Sequence, residues 1–552
     1  MLRAATPDTP AHPLPAAPTE ADTVASGPLT AADHGGLGSI LLRVSSLTLL
    51  TQVISFVSSI LIARTLGATR STDAYFLGYS VPLFVSSVFL TAIRSGAIPA
   101  LTDEASRSER AFLAGSSELV SITLISTLLL SLLAAACAVA LLPLTAGSPS
   151  LVAQAQVNAL ALTPLGVCAA MVSALAAILA VINRFAAAAL VVGIDPILRI
   201  VLLALFGSAL GTKALVIAND GGNALAVLVM WALVLRHGIP LKLRWPMRSD
   251  FVRRSIALTA PLVLCSAVVA TNPVIDRAMT APLGAGSITA LDLGIRLFGI
   301  PLTLLGATLV GPLTATWSAR KAAGGWAALR DSVNRGIEMF TVVVPPLLVL
   351  GIVLRHQLVS LIYHGGGYSE HATNQSAAVL GISELGAPAM LVGIAFGTLF
   401  VIEGHAKFVL MTGVINFALN GILDYVLRTP LGVAGIALST SMTYTVVLVI
   451  YATATRRRWE GVRTPFSGPT GVRTFLAAGA MSVVTIALAS AFSAEADRIE
   501  LLAEVVVVSL AGLASYLAVV LRRDQWRRLI TASLRQLTRL GWPGPLPGQV
   551  ER

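Results

Sequence analysis

Ionised side chains interrupt several long apolar runs of this chain: Arg94, Asp195 with Arg199, Asp276 with Arg277, and Asp292 with Arg296. A charge at bilayer depth costs roughly 2.5 to 3.5 kcal/mol on insertion scales, so such a group faces a wet cavity or a counter-charge. Guanidinium groups stay charged and donate two parallel hydrogen bonds, a geometry suited to phosphate oxygens. Asp292 and Arg296 are four apart and share a helix face, and Asp276 and Arg277 lie just before the turn at 282–286 that precedes them. Arg94, Arg277 and Arg296, with Asp276 and Asp292 beside them, are therefore the candidate site for an anionic headgroup. The competing reading is structural: Asp292 with Arg296, and Asp195 with Arg199, as ion pairs that hold helices in register.

Other reactive residue types add less. Glu384, also in an apolar run, is the candidate for a coupling proton or sodium ion, whereas Glu403 reads as a solvated helix end. His364 and His371 stand seven apart around the triplet Gly365-Gly366-Gly367, with no third ligand, and read as a loop. Cys137, Cys168 and Cys265 show no CxxC spacing. No metal site, no cofactor and no catalytic constellation is expected, so the chain is not read as an enzyme; coupling to a proton, to sodium or to the membrane potential is the remaining expectation.

The elements that must position these residues are membrane helices. Hydrophobic residues make up 55% of the 552 positions and charged residues 12%, about half of what a soluble domain carries. Apolar stretches occur near 40–65, 74–99, 112–143, 157–182, 188–210, 214–235, 255–281, 286–318, 336–363, 375–402, 407–427, 430–455, 472–492 and 500–521. Each suits the roughly 20 residues that one crossing needs. None shows the alternation of a membrane β-strand. The fold class is thus an all-α polytopic membrane protein with about fourteen transmembrane helices.

An even number of crossings puts both termini on one side, and the basic residues agree. With loops assigned alternately, 28 of the 38 Lys and Arg fall on the side of the termini. By the positive-inside rule that side is cytoplasmic, which predicts a bacterial inner-membrane protein with both ends in the cytoplasm. The formal charge of +11 then needs no nucleic-acid partner. The segment 523–552 reads as a basic amphipathic tail held by anionic lipids, and 1–38, rich in Pro, Ala and Thr, as a disordered tail.

An internal repeat organises the rest. LGATRSTDAYFLGYSVP at 66–82 and LGAGSITALDLGIRLFGIP at 283–301 share their opening triplet and closing proline, each at the junction of a first and a second span. Two homologous lobes follow, 39–236 (TM1–6) and 255–456 (TM7–12), joined by a basic cytoplasmic linker at 237–254 and followed by two extra helices within 457–522. A cleft between such lobes is where transporter substrates sit. Pro82 and Pro301 lie within the spans that carry the charges and mark kinks suited to alternating access.

The runs LLTQVISFVSSILIARTLGATRSTDAYFLGYSVPLFVSSVFLTAIRSGAIPAL (49–101) and VIDRAMTAPLGAGSITALDLGIRLFGIPLTLLGATLVGPL (274–313), with IYHGGGYS (362–369), resemble spans 1, 2, 7 and 8 and an outer loop of the MurJ/MviN lipid II flippases. The likeness extends over about residues 43–522 and places the chain in the multidrug/oligosaccharidyl-lipid/polysaccharide exporter superfamily. It implies two six-helix lobes plus two helices and the flipping of a lipid-linked saccharide. It also implies gating or structural roles for Asp73 and Arg64, which keep the family's places, as Arg296 does. The first lobe departs from the family. Gln52 and Ser58 stand where two cavity-facing arginines are usual, Ser86 and Ser87 replace an Arg-Arg pair, Thr91 replaces an acid, and Gly299 replaces an acid beyond Arg296. Gln52 thereby enters the substrate-binding set.

The expected cargo is a polyprenyl-diphosphate-linked cell-wall or polysaccharide precursor, with lipid II itself next. The expected partners are that lipid, the surrounding membrane lipids and cell-envelope biosynthesis enzymes. Three rivals remain: a drug/cation antiporter, which would put acids in the first-lobe cavity; a non-transporting scaffold; and a polytopic glycosyltransferase, which needs a large loop with clustered carboxylates that the basic 236–254 loop does not supply.

Overall fold

Lipid cannot hydrogen-bond to a peptide group, so a chain this apolar must satisfy its backbone within helices. The computed structural model, which describes residues 31–182, 184–243, 250–324, 326–492 and 498–521, shows that outcome: helices and short connections, with one isolated bridge between Gly365 and Tyr368. The first lobe contains α1 (Ala31–Leu66), α2 (Arg70–Ala92), α3 (Ile98–Arg107), α4 (Glu109–Leu141), α5 (Pro149–Ala161) and α6 (Thr163–Val181). It closes with α7 (Phe185–Val191), α8 (Ile194–Leu210) and α9 (Thr212–Arg236). The second lobe contains α10 (Asp250–Ala270), α11 (Asn272–Thr280), α12 (Ser287–Leu305), α13 (Gly311–Ala322) and α14 (Trp326–Val353). It continues with α15 (Arg355–Tyr363), α16 (Glu370–Ile402), α17 (Ala406–Leu431) and α18 (Val433–Arg458), before α19 (Gly468–Ala489) and α20 (Arg498–Val520) complete the chain.

Local chemistry sets several of these ends. Thr69, Ser108 and Ser369 cap α2, α4 and α16 with side-chain oxygens that accept backbone N–H groups, and each helix carries an acid in its first turn. Gly211 (φ +55°) and Gly432 (φ +58°) make the equivalent turns α8–α9 and α17–α18 in the two lobes, a left-handed conformation that a Cβ disfavours.

Thirteen of the helices or continuous helix pairs are long and apolar enough to cross a membrane, among the described residues. The crossing expected at 255–281 is helical but is not one of the thirteen: it breaks at Thr271, ahead of Pro273, and its second half carries Asp276 and Arg277. Residues 31–38, read from composition as tail, form the start of α1. The expectations for 1–30 and for 523–552 lie outside the described residues.

The two lobes repeat in detail. The helix begun by α2 continues through a π turn at Ile93–Ala97 into α3, and α12 continues through a π turn at Gly306–Val310 into α13, an offset of 213 residues. Pro99 and Pro312 follow at the same offset. In each turn an N–H donates five residues back, from Ile98 to Ile93 and from Gly311 to Gly306, which inserts one residue just ahead of the proline that breaks the ladder.

Small residues let the helices touch. A Cβ at Gly222 of α9 would lie 2.7 Å from the Asp195 Cα of α8, and one at Gly294 of α12 would lie 2.8 Å from the Val379 Cβ of α16. The pair α19 and α20 sits against α14. There Pro345 and Pro346 leave the carbonyls four residues earlier without their helical donors, and the Tyr516 hydroxyl of α20 donates to one of them, Val342 O, at 2.6 Å.

Candidate functional site

A cavity of about 880 Å³ opens in the second lobe, walled by α10–α12 and α16–α18 and bounded on the first-lobe side by Tyr79 and Leu83 of α2. Most of its wall is apolar, and the charges gather where α11 and α12 face each other. Asp292 lies between two guanidinium groups: Arg277 Nη2 donates to its Oδ1, and Arg296 Nε donates to its Oδ2 at 2.5 Å. Arg296 also reaches the first lobe. Its Nη1 donates to Ser59 Oγ of α1 at 3.2 Å, and its guanidinium lies 5.4 Å from the centroid of the Phe76 ring of α2.

Two cations share the Asp292 carboxylate at the cavity wall, where Asp276, the chain neighbour of Arg277, also stands. Arg277 is 9% exposed at the side chain, and its Nη1 has no hydrogen-bond partner among the described residues; Arg296 is 29% exposed. Arg296 therefore presents the accessible fork, while Arg277 supplies charge behind it. These residues come from two short segments of the sequence and form one cluster in the fold.

Beside it lies a second polar group. Asn420 Nδ2 of α17 donates to Asp276 Oδ1 at 2.7 Å and to Asp424 Oδ2 at 3.1 Å, and the Ser439 hydroxyl of α18 donates to Asp424 Oδ1. All four side chains are buried. The Asn420 amide thus bridges two carboxylates that come within reach of one another. Asp424, Asn420 and Ser439 were not singled out from the sequence, although Asp424 is an acid inside an apolar run and Asn420 stands four residues before it.

Other predicted residues lie elsewhere. Arg94 is exposed in the π turn after α2 and does not line the cavity. It lies 21 residues beyond Asp73, about 31 Å along the helix, whereas Arg296 lies only ten beyond Gly286, about 15 Å. Gln52 is also exposed and outside the cavity wall, two turns of α1 away from Ser59, the residue that meets Arg296. Glu384 points away from the cavity into α14, where the missing side chain of Gly351 makes room for its carboxylate; its neighbour Ser383 faces the cavity instead. Arg199 is paired with Asp195 and donates to Asn219 Oδ1 at 2.6 Å, with Asn219 in turn bonded to the Tyr75 hydroxyl at 2.5 Å. This is an internal tie among α8, α9 and α2.

Asp73 and Arg64 join the lobes at one end of the molecule. Asp73 of α2 accepts three hydrogen bonds from the start of α12: Gly286 N at 2.6 Å, Thr289 N at 2.8 Å and Thr289 Oγ1 at 2.7 Å. A first-lobe carboxylate thus caps a second-lobe helix, satisfying N–H groups that would be orphaned and meeting the positive end of its dipole. Arg64 acts in the opposite sense, donating from Nη2 to the carbonyls of Leu361 (3.2 Å) and Ile362 (3.0 Å) near the end of α15. Gly367 N donates to Arg64 O at 2.8 Å, and a Cβ at Gly67 would lie 2.1 Å from the Gly367 carbonyl oxygen. The triplet read as a loop is therefore a backbone-to-backbone seam between lobes, which only glycine permits. His364 meets Thr373 Oγ1 at 3.2 Å, and no cluster of three His, Cys, Asp or Glu residues suited to a metal exists among the described residues. Pro82 and Pro301 sit inside α2 and α12, below this seam.

A family model for the lipid II flippase MurJ matches residues 62–511. A probable lipid II flippase MurJ of Rhizobium meliloti (strain 1021) is 23% identical over 410 residues, covering 71% of this chain and 76% of that protein. One of Rhizobium tropici is 27% identical over 218 residues, 39% of this chain; the chain spans 40% of that relative's length. Among solved structures, a lipid II flippase MurJ in an inward closed conformation superposes with a TM-score of 0.72 at 18% identity, covering 89% of this chain and 100% of that one. An inward-facing MATE family multidrug transporter gives a TM-score of 0.61 at 14% identity over 76% of this chain and 98% of that one, a likeness of fold alone.

Proposed function

Since the chain belongs to the lipid II flippase MurJ family, a family of multi-pass membrane transporters rather than enzymes, we propose that it moves a polyprenyl-diphosphate-linked cell-wall saccharide across the plasma membrane by alternating access. Lipid II, the substrate named for the relatives, is the member of that class favoured here over an exopolysaccharide precursor. The observation that carries the reading is the pair Arg277 and Arg296 sharing Asp292 at the wall of an 880 Å³ cavity. A diphosphate entering there exchanges with one arm of Asp292, so the arginines swap one anionic partner for another instead of losing hydration outright. Binding of this kind is moderate, as a carrier that must release its cargo requires.

The seam of Asp73, Arg64 and Gly367 closes one end of the lobes, and the positive-inside rule makes that end the outer one, with both termini cytoplasmic. The matched π turns give the inner halves of α2 and α12 equivalent points at which to swing.

Coupling is assigned to Asp276 and Asp424 in place of Glu384. Two adjacent carboxylates in a membrane interior are mutually repulsive, and a proton or a sodium ion between them relieves the repulsion. Neutralising Asp276 also leaves its chain neighbour Arg277 with less competing negative charge, so ion and diphosphate favour each other's binding, and the linkage is reciprocal.

Arg296→Ala and Arg277→Ala, tested in cells that depend on this protein for precursor export, are expected to abolish and to weaken export respectively, with membrane levels of the protein unchanged. Normal export by Arg296→Ala would refute the assignment.

A further inference from the structure

A second cavity of about 390 Å³ runs along one face of α12 and its π turn, from Ile295 past Gly299, Leu302 and Gly306 to Val310. Val310 lies 15 residues beyond Ile295, about 22 Å along the helix, so the cavity leads from the level of Arg296 toward the end that carries Arg320 and Lys321. It is continuous with the charged cavity, because Ile295, Phe298, Met390, Ile394 and Tyr444 wall both. Its lining is apolar almost throughout. Thr303, one of its two hydroxyl-bearing residues, turns that hydroxyl back onto Gly299 O at 2.8 Å. Gly299 and Gly306, seven apart on one helix face, meet no heavy atom within 4 Å of where a Cβ would stand, so the trough is cut by the absence of two side chains.

We propose that this slot holds the first isoprenoid units of the lipid substrate while its diphosphate sits at Arg296. The inference rests on the function proposed above. Three observations commit it to that occupant: the slot begins at Ile295, the chain neighbour of Arg296, it is apolar along its length, and its volume falls within the roughly 300–1,000 Å³ typical of small-molecule sites. A lipid threaded this way keeps its polar and apolar parts in matching surroundings without dragging the diphosphate into hydrocarbon.

The test uses the full chain in nanodiscs and farnesyl diphosphate carrying a photoreactive diazirine on its terminal isoprene. Crosslinks are expected on 299–310 and on Leu391 to Ile394, and crosslinks confined to α19 and α20 would overturn the slot. Gly306→Trp is expected to lower slot labelling at least tenfold, while Met442→Trp, on an exposed part of α18, leaves it intact; unchanged labelling in Gly306→Trp would also overturn the proposal. Excess inorganic diphosphate and Arg296→Ala report on the headgroup separately. If neither reduces labelling that still falls in the slot, the arginine assignment fails and the slot stands.

Discussion

Replacing Asp73 by Ala should open the seam between the lobes. The carboxylate accepts three hydrogen bonds from α12, two of them from backbone N–H groups at 2.6 and 2.8 Å. A hydrogen bond to a charged group contributes about 1.5 to 3 kcal/mol net. Counting only the two backbone contacts at the lower figure gives about 3 kcal/mol, which is about a 100-fold shift in the ratio of closed to open seam. Asp73→Asn, which keeps one acceptor oxygen but no charge, should shift it by less. Spin labels on Lys213→Cys and Glu370→Cys, exposed residues at the seam end of the two lobes, would report the change once the three native cysteines are replaced. A closed-state distance distribution should become bimodal or move outward in Asp73→Ala, with Asp73→Asn between it and the parent. An unchanged distribution in both variants would show that the apolar and glycine contacts hold the seam without the carboxylate.

Three further outcomes follow from particular contacts. Tyr516→Phe removes the donor to Val342 O and should cost about 1 kcal/mol, read as a lower melting temperature in detergent with α19 and α20 more readily cut by protease; no change in either would mean that the proline-freed carbonyl needs no donor. Gly222→Ala forces a Cβ to within 2.7 Å of the Asp195 Cα and should destabilise the first lobe by about 1 to 3 kcal/mol, measurable by thermal unfolding. Asp424→Asn should leave diphosphate binding in place but remove stimulation of flipping by an imposed sodium or proton gradient in proteoliposomes. Persistent stimulation would move the coupling site elsewhere.

The membrane class was legible because runs of 20 or more apolar residues admit few other structures, and the two-lobe plan because the segments at 66 and 283 repeat a turn chemistry. The crossing near 255–281 was harder. Its hydropathy reads as one span, whereas Thr271, Asn272 and Pro273 divide it into two helices that place Asp276 and Arg277 at the cavity. The four-residue spacing of Asp292 and Arg296 fixed their shared face, but charge pattern carries no depth, and Arg94 lies 11 residues, about 16 Å, further along its helix than the first-lobe position that matches Arg296. The glycine triplet at 365–367 carries no periodic signal, and its role appears only once Gly67 from the other lobe is found opposite it. Asp424 was overlooked for a simpler reason: its partners, Asp276 and Ser439, come from two other helices and have no fixed spacing to it in sequence.

Native mass spectrometry of the protein extracted with its own lipids, alongside Arg296→Ala, tests most directly whether Arg296 holds a diphosphate. A polyprenyl diphosphate carrying a saccharide should be retained by the parent and lost from Arg296→Ala. Retention of the same lipid by both proteins would contradict it.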